Sequence, residues 1–487
     1  MPKATLLALL TSLFVAGLVS PGAARSPMPT QAPAPAPVDS VKGTDEAADG
    51  DGAEGIVTSA KREPGGAAGT EASPAAPRSS APAAGPAADD LLPPGEAALM
   101  DNHPVDSPGV RFRPGKGLEV KSVDGKFSLT SRVRVQFRNT VTYGEDLYDD
   151  HDLVNDFRIR RARIAFTGNA FGKDTRYKFE IAVSPNDSGL TDSVSESGPV
   201  NTPMLDYYFE FRQLRDLQLR IGQYKVPGNR QRVISSGDLQ LVDRSLVNSE
   251  FNVDRDVGLD LRSRDFLGLD RLRYYVGVYS LLGRDAAAEA DPFDLMYLAR
   301  IEYLPFGQFD DYSEVDFERS RRPRLSLGAG YVYQDNAPGL RRVRSRRPAD
   351  GGTVDNHIVY ADAMFMVAGF SAQIEFAFRS GTRNPGGALD EAGTPIPVTA
   401  PRDGLGAMLQ AGYLLPNTPF EISGRYGFIR AAETSSLSDN NELGVGFGYY
   451  PGRHPLKLQA DVFQYWRDGF TGAGAETQLR VQLQASL

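Results

Sequence analysis

Apolar and polar residues alternate with a period of two through most of the chain beyond residue 116. In the segment 369–379, for example, Phe370 and Ile374 alternate with the polar residues Gln373 and Arg379. Because successive side chains of a strand point to opposite faces, this pattern predicts strands with one apolar and one polar face. It recurs in sixteen segments: 127–137, 156–172, 176–183, 205–212, 217–226, 255–263, 271–280, 296–304, 324–334, 357–367, 369–379, 404–414, 420–430, 441–450, 456–465 and 477–487.

The connectors between these segments alternate in length. Long connectors lie at 142–155, 185–203, 227–254, 281–295, 335–356, 380–403, 431–440 and 466–476, and short ones at 172–175, 213–216, 264–270, 368, 415–419 and 451–455. Outer-membrane barrels have long extracellular loops and short periplasmic turns, so the rhythm predicts such a barrel. The connector 305–323 is long where a turn is expected, which indicates either an elaborated periplasmic turn or an error in the assigned strand positions.

The predicted fold is therefore all-β, a 16-stranded antiparallel transmembrane β-barrel over residues 117–487, preceded by a disordered N-terminal arm. Most segments have about the 9–11 residues that a tilted strand needs to cross a bilayer. A closed barrel leaves no strand edge unpaired, and one of this size is wide enough for an aqueous channel. A soluble β-sandwich or propeller is the alternative, although its strands are usually shorter and the loop rhythm would be accidental.

The first 116 residues have a different composition. Lys3 is followed by an apolar run over 6–19 and by small residues up to Ala24, which predicts a signal peptide over 1–24. The run is short for a membrane-spanning helix. Residues 25–116 are rich in Ala, Pro and Gly and poor in aromatic residues, so we expect a disordered linker in the periplasm.

The segment 156–172 combines four arginines with bulky apolar residues. Its apolar phase changes along the way, because Phe157 and Ile159 are odd-numbered whereas Ile164 and Phe166 are even-numbered. One extra residue in the strand would keep both apolar sets on the same face, so a β-bulge is predicted near Arg160 and Arg161.

Composition excludes several kinds of chemistry. The net charge of −9 argues against nucleic acid as a partner, and the absence of cysteine excludes disulfides, thiolate metal sites and cysteine nucleophiles. The four histidines are far apart, and no nucleophile-elbow sequence organises a serine. Gly444, Gly446 and Gly448 lie within a strand pattern, where packing of small residues explains them better than a nucleotide loop. We therefore expect no enzyme activity, no cofactor and no metal.

Arginine dominates the cationic residues, since only ten of 53 are lysine. Guanidinium groups bind anions in a fork, although a GC-rich genome would give the same bias. On the predicted strands the cationic residues form one basic wall of a pore. The candidates for lining an anion path are Arg132, Arg134, Arg158, Arg160, Arg161, Arg163, Lys178, Arg220 and Lys225. The carboxylates Asp206 and Glu210 are candidates for opposing it, and facing acidic and basic walls would leave little net selectivity.

Several stretches resemble the phosphate-selective porin O and P family. They are FRIRRARIAFTGNAFG at 157–172, DYYFEFR at 206–212, LQLRIGQYKVPGN at 217–229, VDRSLVNSEFNVDRDVGLDLR at 242–262 and RYYVGVYSLLG at 273–283. The resemblance implies a 16-stranded outer-membrane porin, usually a homotrimer, with loops folded into the lumen. It makes the loop 227–254 the candidate constriction, with Arg230, Arg232, Asp238, Asp243 and Arg244 as its charged residues. A lysine cluster is missing, since Lys225 is the only lysine between 179 and 456.

The sequence thus predicts a porin of the Gram-negative outer membrane that allows passive diffusion of small hydrophilic solutes, with preference for anions, including phosphate. Its expected partners are outer-membrane lipid and lipopolysaccharide, the permeating solutes, and two further copies of the chain in a homotrimer. An outer-membrane barrel with a plugged lumen, serving mainly as a structural anchor or adhesin, is the alternative.

Overall fold

A computed structural model describes residues 109–148, 151–184, 187, 203–284, 294–341, 347–470 and 475–487. The predicted signal peptide and the arm up to residue 108 lie outside these ranges. No helix among the described residues is long and apolar enough to cross a membrane.

Eighteen strands and two short helices make up the regular structure of the described residues. The strands are β1 Gly109–Arg113, β2 Gly117–Lys121, β3 Ser128–Tyr148, β4 His151–Asn169, β5 Thr175–Ala182, β6 Met204–Phe211, β7 Gln218–Lys225, β8 Arg255–Ser263, β9 Leu272–Tyr279, β10 Met296–Tyr303, β11 Arg324–Ala337, β12 Thr353–Val367, β13 Phe370–Asn384, β14 Gly404–Leu414, β15 Phe420–Ala431, β16 Asn440–Tyr449, β17 Leu456–Arg467 and β18 Glu476–Ser486. The α-helices are α1 Arg230–Val233 and α2 Leu246–Phe251, and Phe266–Gly268 forms a turn of 3-10 helix.

Strands β3 to β18 form a closed antiparallel barrel. Each of these strands pairs with the next, and the sheet closes where β18 pairs with β3. The sixteen strands correspond to the sixteen predicted segments, so the fold class predicted from the period-two pattern is confirmed. At the seam the last residue, Leu487, exchanges two backbone hydrogen bonds with Val133.

The two faces of the barrel wall differ in polarity, as the alternation predicts. In β13, Ile374 is 52% exposed on the outside, whereas its neighbour Gln373 is 2% exposed on the inside. The same alternation holds along most of the barrel strands, where outward apolar side chains are exposed and inward polar ones are buried. An apolar outer band and a polar interior are what a wall between lipid and water requires.

Connectors at the two barrel ends differ in length. The end that carries the short turns 170–174, 212–217, 264–271, 368–369, 415–419 and 450–455 is called the short-turn end here, and the opposite end the long-loop end. The prediction of a long loop at 142–155 is wrong, because β3 runs to Tyr148 and β4 starts at His151. The pairs Thr140–Asp156 and Thr142–Val154 continue the ladder there. Backbone pairing persists where the apolar alternation that marks a strand in sequence is lost.

Strands β1 and β2 form a hairpin that extends the sheet at the short-turn end. β2 pairs with residues 128–131 of β3, next to the part of β3 that β18 occupies. β1 pairs with β2. The range 25–116, assigned to the disordered arm, therefore ends in strand and turn over its last eight residues, 109–116.

The predicted bulge in β4 is confirmed. Gln136 of β3 pairs with Arg161, but the next residue, Phe137, pairs with Ile159, so Arg160 is the extra residue of β4. The extra residue restores the phase, and Phe157 and Ile159 point outward on the same face as the apolar residues beyond the bulge. Arg161 is buried on the inner side.

Two connectors fold into the barrel and build its core. The first is the connector 226–254 between β7 and β8, called loop 3, which carries α1 and α2. Its Phe251 belongs to a buried cluster with wall residues such as Tyr360 and Met408. The second is the connector 304–323 between β10 and β11, called the inner turn, whose Phe309 and Tyr312 belong to a second cluster. The elaborated turn, rather than a strand error, explains the long 305–323 connector.

Replacing Ile374 by arginine is expected to lower the free energy of unfolding by about 2–4 kcal/mol, the cost of a charge on the lipid face near the bilayer midplane. Ile374 points outward at the centre of the apolar run from Phe370 to Phe378 of β13 and is paired on both sides. Urea unfolding of the barrel in lipid vesicles measures the change, with Ile374→Leu as the control. Equal stability of the two variants would contradict a lipid-facing outer surface.

Candidate functional site: the channel passage

Loop 3 fills one side of the lumen and leaves the other side open. It contacts the wall from β12 to β18: Glu442 of β16 accepts from Leu246 N at 3.1 Å, and Lys457 of β17 donates to Leu239 O at 2.7 Å. Gly446 of β16 makes room for loop 3, because a Cβ there would collide with Leu241, and Gly444 and Gly448 make room for the side chains of Phe463 and Tyr450. The packing role predicted for these glycines agrees with this geometry.

A cavity along β3 to β9 forms the open side, called the basic passage. It contains about 1000 Å³ of empty space, including space open to solvent. It runs from Lys225 and Arg255 near the long-loop end to Arg220 and Arg262 near the short-turn end. Its lining comprises Arg132, Arg134, Arg163, Ala165, Lys178, Glu180, Asp206, Arg220, Tyr224, Lys225, Pro227, Val233, Ile234, Ser235, Arg255, Arg262, Tyr275 and Tyr312.

The lining is strongly cationic on the barrel side. It contains eight Lys and Arg residues and two acidic residues, Glu180 and Asp206. The loop 3 side contributes Val233, Ile234 and Ser235, which are neutral. The passage therefore has one basic wall opposite a neutral wall, and not the facing basic and acidic walls that would cancel selectivity.

Six of the nine residues predicted to line an anion path lie in the basic passage: Arg132, Arg134, Arg163, Lys178, Arg220 and Lys225. The other three do not line it. Arg158 is exposed and forms an ion pair with Asp156, and Arg160 is the extra residue of the bulge. Arg161 points into the lumen but faces loop 3, where it lies 3.5 Å from Asp243.

Some cations of the passage are neutralised by carboxylates on the same wall. Asp206 accepts from Lys178 at 2.9 Å and from Arg255 at 2.5 Å. Glu210 accepts from Arg220 at 2.7 Å and from Arg264 at 3.1 Å. Both carboxylates lie on β6, between β5 and β7, so they are embedded in the basic wall and do not oppose it from across the lumen.

Three passage cations form no ion pair with a carboxylate among the described residues. Arg134 donates to the hydroxyls of Ser235 and Ser236 at 3.0 and 3.1 Å, and its Nε is a buried donor without a hydrogen-bond partner. Lys225 Nζ donates to two backbone carbonyls of loop 3, both at 3.1 Å. No hydrogen bond or ion pair joins the side chain of Arg132 to another described residue. The guanidinium groups of Arg132 and Arg134 are therefore the uncompensated positive charges of the wall.

The charged residues predicted for the constriction hold loop 3 in place instead of facing the passage. Arg230 is fully buried and binds Asp362 of β12 at 2.6 Å. Arg232 pairs with Asp254, and Arg244 donates to Gln231 O at 2.8 Å within the loop. The buried Asp238 contributes its backbone carbonyl to the inner turn.

Asp243 fastens loop 3 to the wall of β3 and β4. Arg138 binds its carboxylate at 2.7 Å and Arg161 lies at 3.5 Å. Burial alone would raise the pKa of the Asp243 carboxyl, but these two guanidinium groups hold that pKa well below its ordinary value. The stabilisation is fully present above the ordinary carboxyl pKa and is lost only as the pH falls through the depressed value. The ion pairs of Asp243 with Arg138 and Arg161 are therefore formed at neutral pH.

Two cations of the passage, Arg255 and Arg262, were not among the predicted residues. Their strand was predicted, and its outward residues Leu259 and Leu261 indicate that Asp260 and Arg262 point inward. Applying the alternation rule to this strand would have identified Arg262. Arg255 lies where the alternation is interrupted, since it and Asp256 are both buried.

Comparison with known proteins gives a family match over part of the chain. The model of the family described as phosphate-selective porin O and P matches residues 132–266. A search of curated proteins gives no match. The matched segment contains β4 to β8 and loop 3, which supply most of the basic passage.

Among solved structures, the chain is similar to OmpTdeltaL8, a loop L8 deletion mutant of the Vibrio cholerae outer membrane protein OmpT. The two chains are 10% identical, the match covers 74% of this chain and 99% of that chain, and the TM-score is 0.47. It is similar to the outer membrane channel DcaP of Acinetobacter baumannii, with 13% identity, 75% and 99% coverage, and a TM-score of 0.46. It is also similar to Pseudomonas aeruginosa OccK1, with 16% identity, 73% and 99% coverage, and a TM-score of 0.37.

These structural similarities are low, and the barrel described above stands on the strand pairing of this chain itself. The family match agrees with the stretches at 157–172, 206–212, 217–229 and 242–262 that carry the resemblance in sequence. Residues 132–266 are therefore similar to the phosphate-selective porin O and P family, and this match together with the closed barrel supports an outer-membrane channel for small solutes.

Proposed function

We propose that the protein is an outer-membrane porin in which small anions diffuse passively along the basic passage in preference to cations. The observation that carries this proposal is the charge of Arg132 and Arg134, which no carboxylate among the described residues neutralises by an ion pair. A lumen that offers one sign of charge raises the local concentration of ions of the other sign.

Weak binding is as important as attraction in a channel, because an ion that binds too tightly does not leave. Here Lys178 and Arg255 share the carboxylate of Asp206, which reduces their pull on a passing anion. The cations follow one another along β7 and β8, so an anion passes between neighbouring sites and does not have to leave a single deep one. The arrangement suits rapid diffusion with moderate selectivity.

Phosphate is proposed as one of the permeating anions. Guanidinium groups match phosphate oxygens in a two-pronged geometry, and the passage offers six arginines. Lys225 and Lys178 are its only lysines among the lining residues, so a preference for phosphate over other anions is not part of the proposal. We further propose that the chain is a homotrimer, as the family resemblance implies, with residues 1–24 as a signal peptide and the arm in the periplasm.

Purified protein in a planar lipid bilayer under a potassium chloride gradient is expected to show a reversal potential displaced toward the chloride equilibrium potential. The physical reason is the net positive lining of the passage. The displacement is expected to shrink as salt rises from about 0.1 M to about 1 M, because the screening length falls from about 10 Å to about 3 Å. Adding phosphate is expected to reduce the chloride current.

A displacement toward the potassium equilibrium potential would contradict the anion preference. Absence of any conductance steps would instead favour the alternative function, a plugged barrel that serves as an anchor or adhesin. The observation that favours a plugged barrel is the packing of loop 3 and the inner turn within the lumen. Recovery of folded protein, judged by heat-modifiable gel mobility, is the control for both outcomes.

A further inference from the structure

The inner turn is too long and too buried to be a simple link between β10 and β11. Its residues Asp311, Tyr312, Ser313, Glu314, Val315 and Asp316 are each at most 3% exposed. A turn that only joined two strands at the rim would leave such polar side chains in water, because burying them costs free energy unless they find partners. The segment therefore has a place inside the short-turn mouth.

One set of contacts fastens the inner turn to loop 3. Glu314 accepts from the backbone N–H of Gln240 at 2.8 Å, and its own N–H donates to the carbonyl of Asp238 at 3.2 Å. Asp311 binds Arg230 at 2.7 Å. Loop 3 thus rests on the inner turn through several hydrogen bonds and an ion pair, and the two segments fill the same side of the lumen.

A second set fastens the inner turn to the barrel wall. Asp311 also binds Arg273 of β9 at 3.0 Å. Glu314 accepts from the side chain of Gln410 of β14 at 2.9 Å. Ser313 Oγ lies 3.1 Å from His454 Nε2, in the turn between β16 and β17.

A third set reaches the rim. Asp316 accepts from the backbone N–H of Gly369, in the turn between β12 and β13, at 2.8 Å. Arg319 donates to Leu415 O at 2.7 Å and to Thr418 O at 2.9 Å, in the turn between β14 and β15. From β9 to the turn before β17, the inner turn therefore crosses the short-turn mouth beneath loop 3.

We propose that the inner turn determines selectivity: it closes the lumen on the side of β10 to β17, so that solutes leave only along the basic wall. Tyr312 supports this placement, because it is the inner turn's contribution to the lining of the passage. The carboxylate of Asp311 in the inner turn does not offset the basic wall, since it is bound by two arginines. This inference rests on the proposed anion-preferring channel and adds the segment that forces ions onto its basic wall.

The direct test is a variant in which residues 306–321 are replaced by a four-residue glycine-serine turn. Its single-channel conductance is expected to rise roughly twofold, and its anion preference to fall toward none, because ions gain a second path away from the arginines. The matched control deletes residues 389–395, an exposed loop segment at the opposite end. The control deletion is expected to leave both quantities unchanged.

A milder variant covers the case in which the replacement does not fold. Glu314→Ala removes the acceptor that joins loop 3, the inner turn and β14. We expect more frequent transitions to states of higher conductance and lower anion preference. Folded Glu314→Ala protein, or folded replacement protein, with wild-type conductance and wild-type selectivity would overturn the proposal.

A chemical test separates the failure of this proposal from that of the anion preference. Since the chain has no cysteine, Ser313→Cys introduces a single thiol, which we expect to react slowly with a charged methanethiosulfonate. The control Thr394→Cys lies in an exposed loop and should react fast. Fast reaction at position 313 would overturn the placement of the inner turn even if the wild-type channel prefers anions. If Ser313→Cys reacts slowly while the wild-type channel shows no anion preference, the placement of the inner turn stands and the proposed function is overturned instead.

Discussion

Replacing Arg132 by glutamate is expected to lower the anion-to-cation permeability ratio about tenfold at 0.1 M salt. A unit charge acts on an ion passing roughly 6–8 Å away with about 0.5–0.7 kcal/mol in a water-filled lumen. The substitution changes the wall by two charges and acts in opposite directions on anions and cations. Screening reduces the combined change in the energies of a passing anion and a passing cation to about 1.4 kcal/mol, which is a factor of ten in the permeability ratio. The reversal potential in a salt gradient measures it.

The position of Arg132 makes this substitution clean, because no ion pair among the described residues is broken by it. Two neutral variants form a matched pair: Arg132→Gln removes a cation from the passage, and Arg158→Gln removes one that does not line it. We expect a smaller shift of the same sign for Arg132→Gln and none for Arg158→Gln. Equal shifts for the two would show that selectivity follows the total charge of the barrel and not the charge of the passage wall.

The barrel strands were predictable because lipid and water impose opposite demands on the two faces of every strand. In β13 this gives Ile374 outside and Gln373 inside, which the sequence alone indicates. The prediction failed at 142–155, where the chain continues as strand without the apolar alternation. Backbone hydrogen bonds hold that extension together, and they leave no mark on residue type.

For the residues of the passage, the sequence predicts which side chains point into the lumen but not which of them line the passage. Arg161 and Arg163 are two residues apart and both point into the lumen, yet Arg161 faces Asp243 of loop 3 and Arg163 faces the passage. What separates them is the path of a loop that is remote in sequence. The same holds for Arg230, predicted as a constriction residue, whose partner Asp362 lies on β12. No spacing rule relates residues that far apart.

Replacing Arg230 by glutamine is expected to lower the free energy of unfolding by about 3 kcal/mol, at the low end of the range for breaking a buried ion pair. Arg230 belongs to a buried cluster of three arginines and three carboxylates: Arg230, Arg273, Arg300, Glu302, Asp311 and Asp362. Its removal leaves one negative charge in excess. The cost stays low in the range because Arg300 still binds Asp362 at 2.7 Å and Arg273 still binds Asp311 at 3.0 Å.

The double variant Arg230→Gln with Asp311→Asn tests whether charge imbalance is the cause. It restores equal numbers of positive and negative groups in the cluster, so we expect it to recover more than half of the lost stability. Urea unfolding followed by the fluorescence of Trp466, the only tryptophan, measures both variants. A double variant less stable than Arg230→Gln alone would mean that the hydrogen bonds of Asp311, rather than the balance of charge, hold the inner turn and loop 3 together. In that case directed hydrogen bonds of the guanidinium group join the two segments. Arg230→Lys, which keeps the positive charge but loses the two-pronged hydrogen bonding of arginine, would then be as destabilising as Arg230→Gln.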